Sequence, residues 1–525
     1  MKTKIKFITA ATLMLLFVSC AEDIVNDKTK KAEEEGTVFV GGRFNTNAPA
    51  KSRSGISFDT LTNEVEFVWT PGDKIYLADG TASEQWNKEG DQSVPETADF
   101  VFRGKAFTEP SYDIYFPGNM GTTYNKVNIP EYSGRQTGLF LRGDGRSIFT
   151  PYFYDCGFAK AIRQADGKYY FNLEHQSAFI TLRPYSQNKQ LGYYLVFRGA
   201  SITADTNITG EYTITPNGLT GAGSSKVAKT NEQASQLSQT IPGRHQFDGS
   251  VKDRAYWNTW IFQIAPTKTK LKLEENYEAT VYYNGNGAWL SYDTDFKIKR
   301  TKYIPLHDYK KNTFTPINSL IAFPTYKPEY YMWDSEKGKD VLNFYKENVT
   351  NRIWNGDATY ISVPSLTDFS NPTTTIATKS MKDCPNKVEA AWYIAHGDPH
   401  WDPNYLWTNG HCIYRGAMWF LKKKEISGFN STTLPTDVTF TANEYEKSSI
   451  KEGTPTDTTK YFILPAQGFC SDAWGSLMVQ IAMGGIYWTR DAYDATEAWA
   501  IYFDKTRACI YKRPKTDAGS LWTVQ

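Results

Sequence analysis

Runs of alternating apolar and polar residues recur through the first 315 residues, separated by turns rich in Gly, Pro and Asn. Residues 64–69 (EVEFVW) form one such run, which ends at a Pro-Gly-Asp turn (71–73) before a further run at 75–77 (IYL). Alternation with a period of two is typical of a strand with one buried face, and two strands around a tight turn indicate a hairpin. The pattern predicts a mainly β protein built from antiparallel β-sandwiches.

The runs fall into two groups, each large enough for one β-sandwich of the transthyretin or immunoglobulin kind. We assign residues 37–190 to the first sandwich and residues 191–315 to the second. Residues 21–36 are charged and hold few apolar side chains, so they cannot offset their ordering entropy by burial and are predicted to form a tether. Residues 317–323 have prolines at both borders and are predicted to be an inter-domain junction.

Residues 316–525 differ in composition from the rest of the chain. They hold ten of the fifteen Trp, four of the six Cys and three of the six His residues, so we expect a separate module. Residues 386–395 (NKVEAAWYIA) carry apolar side chains at helical spacing behind Pro385, and proline is common at the start of a helix. Strand-like stretches follow, and the module is predicted to be α+β.

The amino terminus has the pattern of an export signal. Three lysines precede a run of twelve largely apolar residues, 7–18, which is too short to span a membrane and ends close to Cys20. This is typical of a lipoprotein signal in residues 1–20, with Cys20 acylated and holding the chain to the outer membrane. Phe17 stands where such signals usually carry Leu, so cleavage by an ordinary signal peptidase stays open.

One cluster of side chains resembles a metal site and consists of His396, His400, His411, Asp398 and Asp402. Pro399 breaks the spacing that would aim two imidazoles at one ion, and the HExxH motif is absent. The aspartates have oxygen spacing for Ca²⁺, but Pro403 stands where an EF-hand turn needs Gly. We expect structural hydrogen bonds there rather than a metal, and leave a Ca²⁺ site near Asp398 and Asp402 open.

The sequence carries no catalytic signature, so it predicts neither an enzyme nor a cofactor. Its formal net charge of +1 provides no bulk attraction for nucleic acid. An even set of cysteines in an exported module predicts one or two disulfides, with three pairings open, among Cys384, Cys412, Cys470 and Cys509. Cys156 is left over and is predicted to be a buried thiol.

The tryptophans of the last module fall into two classes. A first set, predicted to lie in the core, comprises Trp392, Trp488 and Trp499. A second set, Trp401, Trp407 and Trp474, lies among Pro, Asn and Gly residues in predicted loops. Exposed aromatic side chains can stack on a sugar or anchor a protein interface. The second set is therefore predicted to contact a glycan or protein receptor.

Three motifs resemble those of the fimbrillin-like lipoproteins, the subunits of pili that Bacteroides-type bacteria assemble from lipidated precursors. Residues 67–75 (FVWTPGDKI) resemble the family's F-x-W-x-x-G-D-x-I hairpin, and residues 112–117 (YDIYFP) resemble its aromatic strand ending in Tyr/Phe-Pro. Residues 171–182 (FNLEHQSAFITL) resemble its F-x-x-x-H strand. The resemblance covers about residues 37–315.

This resemblance implies a route of assembly. In such pili a trypsin-like protease cuts after an arginine near the start of the first sandwich and removes the lipid with the first strand. A strand of another fimbrial subunit then fills the groove. Arg53, with Ser54 as the new amino terminus, is the best match, and Arg43 is the second. Because a long module follows the second sandwich, the chain is expected to accept a strand without donating one, as a tip subunit would.

The last module resembles the C-type-lectin-like modules of Bacteroidetes surface proteins. The matching segments are residues 464–469 (LPAQGF), 484–489 (GGIYWT) and 498–503 (AWAIYF). Members usually close with an apolar-Arg strand, whereas this chain ends in LWTVQ, which leaves the end of the fold open.

Taken with the anchor, these resemblances favour a cell-surface fimbrial subunit, a tip adhesin. The alternative is a glycan-binding lipoprotein of a polysaccharide-uptake system, which would share the anchor and the modules but keep its amino terminus. A secreted hydrolase is disfavoured because catalytic motifs are absent.

Overall fold

The computed structural model of the chain is mainly β. It describes residues 36–42, 55–58, 65–69, 72–84, 97–118, 121–136, 147–149, 155–192, 194–230, 259–284, 290–327, 329–338, 374–441, 444–471 and 476–521. The predicted fold class is confirmed at that level. No helix in these ranges is long and apolar enough to cross a membrane.

The first part of the chain forms thirteen strands among the residues described. They are β1 (Thr37–Gly41), β2 (Gly55–Phe58), β3 (Val65–Val68), β4 (Tyr76–Leu77), β5 (Ala98–Phe102), β6 (Ser111–Phe116), β7 (Gly121–Thr123), β8 (Lys126–Ile129), β9 (Tyr132–Gln136), β10 (Ser147–Phe149), β11 (Gly157–Arg163), β12 (Tyr169–Phe171) and β13 (Glu174–His175). A sheet in the order β4-β6-β11-β12-β1-β5, with β13 beside β11, forms the first module, next to a smaller β10-β2-β3 sheet.

The prediction of a hairpin around residues 71–73 is wrong. Both strands exist, but β3 pairs with β2 and β4 pairs with β6, so they belong to different sheets. Trp69, which follows β3, is fully buried between Phe100 and Phe116. Between Trp69 and β4 the chain therefore passes from one sheet to the other, a choice that local alternation cannot encode.

The second module is a sandwich of two sheets that share one strand. Its elements are β14 (Ala178–Ser186), helix α1 (Lys189–Gly192), β15 (Leu195–Ala204), β16 (Gly210–Thr215), β17 (Gly218–Thr220), β18 (Val227–Thr230), β19 (Trp260–Ile264), β20 (Thr267–Asn284), β21 (Leu290–Tyr309) and β22 (Phe314–Ile321). One sheet runs β22-β14-β19-β9 and the other β9-β18-β15-β20-β21. Strand β9 closes one side of the sandwich because it pairs with both β19 and β18.

The boundary predicted between residues 190 and 191 does not coincide with these sheets. Strand β14 lies before it, yet pairs with β19 and β22 of the second module. Strands β8 and β9, from the range assigned to the first sandwich, also pair with strands of the second. Alternation identifies strands but not their partners, so it could not show this interleaving.

The last part of the chain, the tail module, is α+β as predicted. Its elements are β23 (Tyr331–Met332), helix α2 (Lys387–His396), β24 (His400–Thr408), β25 (Ile413–Leu421), β26 (Glu444–Lys447), β27 (Lys451–Glu452), β28 (Tyr461–Pro465), β29 (Phe469–Ser471), β30 (Ser476–Val479), β31 (Gly484–Ala492), β32 (Glu497–Asp504), β33 (Ala508–Pro514) and β34 (Ala518–Gly519), with short 3-10 turns at Lys423–Glu425 and Thr458–Lys460. Sheets β26-β33-β32-β31 and β23-β34-β29-β30 lie within it.

Helix α2 confirms the helix predicted near residues 386–395. Asn386 caps it: its side-chain oxygen accepts a hydrogen bond from the Glu389 backbone N–H at 2.8 Å. In return the Glu389 carboxylate accepts from the Asn386 N–H at 3.0 Å. This reciprocal capping box explains why the helix begins directly after Asn386.

The tail is joined to the second module rather than separate from it. Strand β20 pairs in parallel with β25 at Val281 and Tyr282, so one sheet of twelve strands crosses the boundary. A shared core cluster packs Leu191 and Tyr277 of the second module against Ile413 of the tail. The expectation of a separate module is therefore corrected, because composition reports the content of a segment and not what its edges contact.

The junction predicted at residues 317–323 is largely strand. Strand β22 pairs in parallel with β14 from Phe314 to Ile321. Pro316 has no N–H to give to a second neighbour, and β22 lies at the end of its sheet, where proline is tolerated. The flanking prolines thus mark an edge strand and not a linker.

Candidate functional sites

Strand β1 lies inside the sheet of the first module although it is the first strand described. It pairs with β5 in antiparallel fashion along its whole length and with β12 in parallel at three positions. Removing β1 would leave two strand edges with unpaired N–H and C=O groups facing one groove. Such edges bind an added strand readily.

Phe39 is the main apolar side chain of β1. It is fully buried, stacks on Tyr169 with ring centroids 4.6 Å apart, and makes edge contacts with Phe102 at 5.0 Å and Phe107 at 5.1 Å. The groove under β1 is therefore a pocket lined by aromatic rings, shaped for one large apolar side chain.

Gly41, two residues later, marks the tightest point of the same groove. A Cβ atom there would lie 2.7 Å from Phe171 and 2.8 Å from Trp69, closer than real Cβ contacts. The Trp69 indole N–H also donates to the Gly41 carbonyl at 3.1 Å. A strand in this position must carry glycine where the backbone passes Trp69.

The residues predicted for processing and lipidation lie outside the described ranges. These residues are Cys20, Arg43, Arg53 and Ser54. Their order along the chain is still informative, because both arginines come after β1 and before β2, which begins at Gly55. A cut after either one would separate β1 from the rest of the chain.

The histidine of the F-x-x-x-H motif serves the core. His175 is fully buried, and its ring Nδ1 lies in hydrogen-bond contact with the carboxylate of Asp155, which is also fully buried. Burial raises the pKa of Asp155, and the His175 ring beside it opposes that rise. The pair lies where β13 leaves the first module for β14.

Asp398 organises the loop between α2 and β24. Its carboxylate accepts hydrogen bonds from Tyr461 at 2.8 Å and His400 at 3.1 Å, and forms an ion pair with Lys451 at 2.8 Å. Burial acts to raise the pKa of Asp398, but these donors outweigh it and lower the pKa to about 2. The structural role expected for this loop is what the contacts favour.

The other members of the predicted cluster do not converge with Asp398 on an ion. His396 bonds to Asp437 at 2.9 Å, and Asp402 accepts from the Asn404 backbone N–H at 3.0 Å and the Trp419 indole at 3.3 Å. Within the described ranges, no three His, Cys, Asp or Glu side chains are placed to hold a metal ion.

The disulfides predicted in the tail are not present. Cys384, Cys412, Cys470 and Cys509 are buried thiols. Burial raises the pKa of Cys412 to about 11 and that of Cys509 to about 12. Their surroundings are apolar core clusters, so these cysteines act as small core side chains. Cys156 is a buried thiol, as predicted.

The prediction that loop tryptophans contact a ligand is wrong for Trp401 and Trp407, which are buried. Trp407 is 1% exposed, stacks on Tyr414 at 4.7 Å and donates to the Gly416 carbonyl at 3.1 Å. Trp401 is 7% exposed and packs in the main tail core. Both lie in β24, because the Pro- and Asn-containing stretch between them is a bulge in a strand and not a loop. Trp474 lies outside the described ranges.

The tryptophans predicted to lie in the core are buried or partly buried. Trp488 is fully buried and Trp499 is 6% exposed. Trp392 is half-buried against the same cluster, and its indole donates to the Thr433 carbonyl at 2.8 Å.

A cleft of about 470 Å³ lies where the second module meets the tail. We call it the junction cleft. It is lined by Ile298, Arg300, Ile321, Ala322, Phe323, Asp402, Asn404, Tyr405, Leu406, Trp419 and Thr454. Sequence reasoning missed it because the lining of the second module and that of the tail are at least 79 residues apart in the chain. The one local signal was Asp-Pro-Asn (402–404) inside an otherwise strand-like stretch, a combination that favours a bulge or turn.

Comparison with known proteins gives only weak similarities. No family model and no curated protein matches the chain. A solved structure from Bacteroides ovatus, assigned to cell adhesion, is 11% identical with a TM-score of 0.29, over 54% of this chain and 91% of that chain. A fimbrial assembly protein from Parabacteroides distasonis is 11% identical with a TM-score of 0.20, over 54% and 90% of the two chains. A fimbrial protein from Bacteroides ovatus is 9% identical with a TM-score of 0.21, over 92% and 98%. Scores of this size do not establish a shared fold.

Proposed function

We propose that this chain is a lipid-anchored fimbrial subunit that accepts a strand from another subunit after proteolysis removes β1. One observation carries the proposal: β1 is bonded on both edges, yet it is the first described strand and two arginines follow it before β2. A single cut would therefore expose a ready-made groove. Its neighbour β12, by contrast, is joined through described residues on both sides, 164–168 toward β11 and 172–173 toward β13.

The groove would select its donor strand by shape. The pocket under Phe39 favours a large aromatic or aliphatic side chain, and the wall formed by Trp69 and Phe171 favours glycine two residues later. Main-chain hydrogen bonds to β5 and β12 would supply most of the affinity, and these two side chains the specificity.

The tail supports a terminal position in the fibre. Strand β33 lies between β26 and β32, and β34 pairs with β23 and β29. Donating these last strands would break two sheets, so the described part of the tail holds no strand ready for donation. A subunit that accepts but does not donate would cap a fibre, and we assign the adhesive role to the tail on that basis.

The test is uptake of a peptide by the cut chain. Purified full chain is cleaved by a trypsin-like protease, and its new amino terminus is sequenced. A fluorescent peptide with the sequence of residues 36–42 (GTVFVGG) is then added. Binding is expected for the cut chain alone, measured by fluorescence anisotropy.

Two variants make this test specific. A peptide with Ala in place of Phe39, or Val in place of Gly41, should bind at least about tenfold more weakly. Chains carrying Arg53→Ala or Arg43→Ala identify the arginine that is cut. A cut chain that retains β1, or that binds all three peptides equally, would refute the strand-acceptor function. An acylated Cys20 retained on mature protein from cells would instead favour the permanently anchored glycan-binding lipoprotein.

A further inference from the structure

Residues of the second module and of the tail form the junction cleft, and a bulge in β24 shapes it. Strand β21 and the residues after β22 form one wall, and β24 forms the other. The pairing of β24 with β25 shifts register between Asp402 and Leu406, so residues 403–405 leave the ladder and project. Bulges of this kind redirect side chains toward a site. Here the bulge brings exposed Asn404 and half-buried Tyr405 to the cleft.

The aromatic side chains of the cleft are fixed before any ligand arrives. Tyr405 and Trp419 meet edge to face with centroids 5.7 Å apart. The Trp419 indole N–H bonds to the Asp402 carboxylate at 3.3 Å, and the Tyr405 hydroxyl lies 3.2 Å from that of Tyr326. A ligand would therefore lose little affinity to ordering these rings.

The polar side chains leave hydrogen-bonding capacity for a ligand. The Arg300 side chain lines the cleft and is 34% exposed, although its Nη1 atom is buried toward Glu275. The nearest carboxylate oxygen, Glu275 Oε2, is 3.9 Å away and accepts from Ser319 at 2.7 Å instead. The Arg300 guanidinium and the Asn404 amide thus border a cleft that is also lined by Asp402 and Thr454.

The charges around the cleft argue against an anionic ligand. Arg300 faces the buried carboxylate of Glu275, and Asp402 lines the cleft itself, so one cation is matched by two carboxylates. The remaining chemistry is a pair of fixed aromatic rings with amide and guanidinium groups beside them. A neutral ring with one apolar face and hydroxyl groups at its rim fits this arrangement.

We infer that the junction cleft binds a neutral pyranose ring of a carbohydrate chain. The inference rests on the adhesive role proposed above and supplies its ligand class. Tyr405 provides the apolar contact, and Asn404 and Arg300 bond to hydroxyl groups. Asp402 is a positioning residue, since it holds both the bulge and the Trp419 indole.

The experiment uses the full chain without protease treatment. The probes are the methyl pyranosides of glucose, galactose, mannose, fucose and N-acetylglucosamine, tested by saturation-transfer NMR and titration calorimetry. At least one should bind, and Tyr405→Ala and Asn404→Ala should each weaken that binding about tenfold. Tyr405→Phe, which keeps the ring, should bind nearly as the parent chain does.

The matched control is Tyr303→Ala. Tyr303 lies on β21, as Arg300 does, but is 76% exposed outside the cleft, so its loss should leave binding unchanged. Melting curves check that each variant folds. The inference would be overturned if no pyranoside bound, or if binding were unchanged in both Tyr405→Ala and Asn404→Ala. It would also be overturned if indole bound and no pyranoside did. The pyranosides are tested on the uncut chain, so failure to bind them does not affect the strand-acceptor test. Failure of the strand-acceptor test likewise does not affect pyranoside binding.

Discussion

The first and last long strands of the described chain both lie inside sheets, but they differ in how the chain leaves them. After β1 come residues 42–54, with Arg43 and Arg53 among them, before β2 begins. Strand β33 is entered through a tight turn instead. There the Asp504 carboxylate accepts hydrogen bonds from the backbone N–H groups of Thr506 at 2.7 Å and Arg507 at 3.1 Å.

Under the proposed function, this difference separates a strand that can be replaced from one that cannot. Strands β1 and β33 are each hydrogen-bonded on both edges within their own sheets, so pairing does not decide which of the two could be exchanged. We infer that the connection decides it, since the two arginines proposed for cleavage lie between β1 and β2 in the sequence. Strand β33 is followed directly by β34, which is paired on two sides. Under the proposed function, β1 is thus the strand that another subunit replaces, whereas the last described strands of the tail stay paired on both sides.

The largest effect is expected from Trp407→Ala, which tests whether the tail is closed. Trp407 packs in a cluster that also contains Tyr194 and Tyr282 of the second module. Its removal creates a cavity and leaves the Gly416 carbonyl without its donor, so we expect a loss of about 5 kcal/mol. Chemical denaturation of the full chain measures it.

Tyr303→Ala is again the control and should change stability by less than about 0.5 kcal/mol. If Trp407→Ala unfolds at the same denaturant concentration as the parent, then Trp407 is a contact residue after all and the tail is not closed around it.

A smaller and more local effect is expected from Phe39→Ala in β1. The lost aromatic contacts should cost about 3 kcal/mol, confined to the first module. Hydrogen exchange should then speed up in β5 and β12 while the tail remains protected. Val38→Ala, at a half-buried position of the same strand, is the matched control. Equal loss of protection in the tail would show that β1 is not a separable element.

Strands could be predicted from the sequence better than their partners. The alternating runs at residues 64–69 and 75–77 predict strands, and β3 and β4 lie within them. The pairing of β20 with β25 joins Val281 to Ile413, more than 130 residues apart, and no local pattern encodes such a contact.

The predictions of functional sites fail for the same reason, because they too depend on contacts between distant segments. Trp401 and Trp407 were predicted to be exposed because Pro403 and Asn404 between them are typical of loops. A bulge in β24 accommodates the same residues while both indoles stay buried. The residues that line the junction cleft come from β21, the end of β22, β24, β25 and Thr454, so they could be grouped only once the sheet order was known.

The smallest expected effect on stability is that of removing the charge of Asp398, and its pH dependence distinguishes the tail from the β1 region. The Asp398 pKa is lowered from 3.8 to about 2 in the folded chain, so its ion pair and hydrogen bonds stabilise the tail above about pH 4. This contribution is lost as the pH falls from 4 toward 2, because the carboxylate is then protonated in the folded chain as well.

Asp398→Asn should remove on the order of 1 kcal/mol at neutral pH, after allowance for solvent screening. Asn also tolerates the left-handed backbone at this position, where φ is 46°, so the change isolates the charge. Phe39 packs among aromatic rings, and the β1 region should therefore keep its hydrogen-exchange protection over the same pH range. The measurement is the free energy of unfolding of parent and variant at pH 7, 4 and 2, and a difference that stays constant across these values would show that the Asp398 charge does not stabilise the tail.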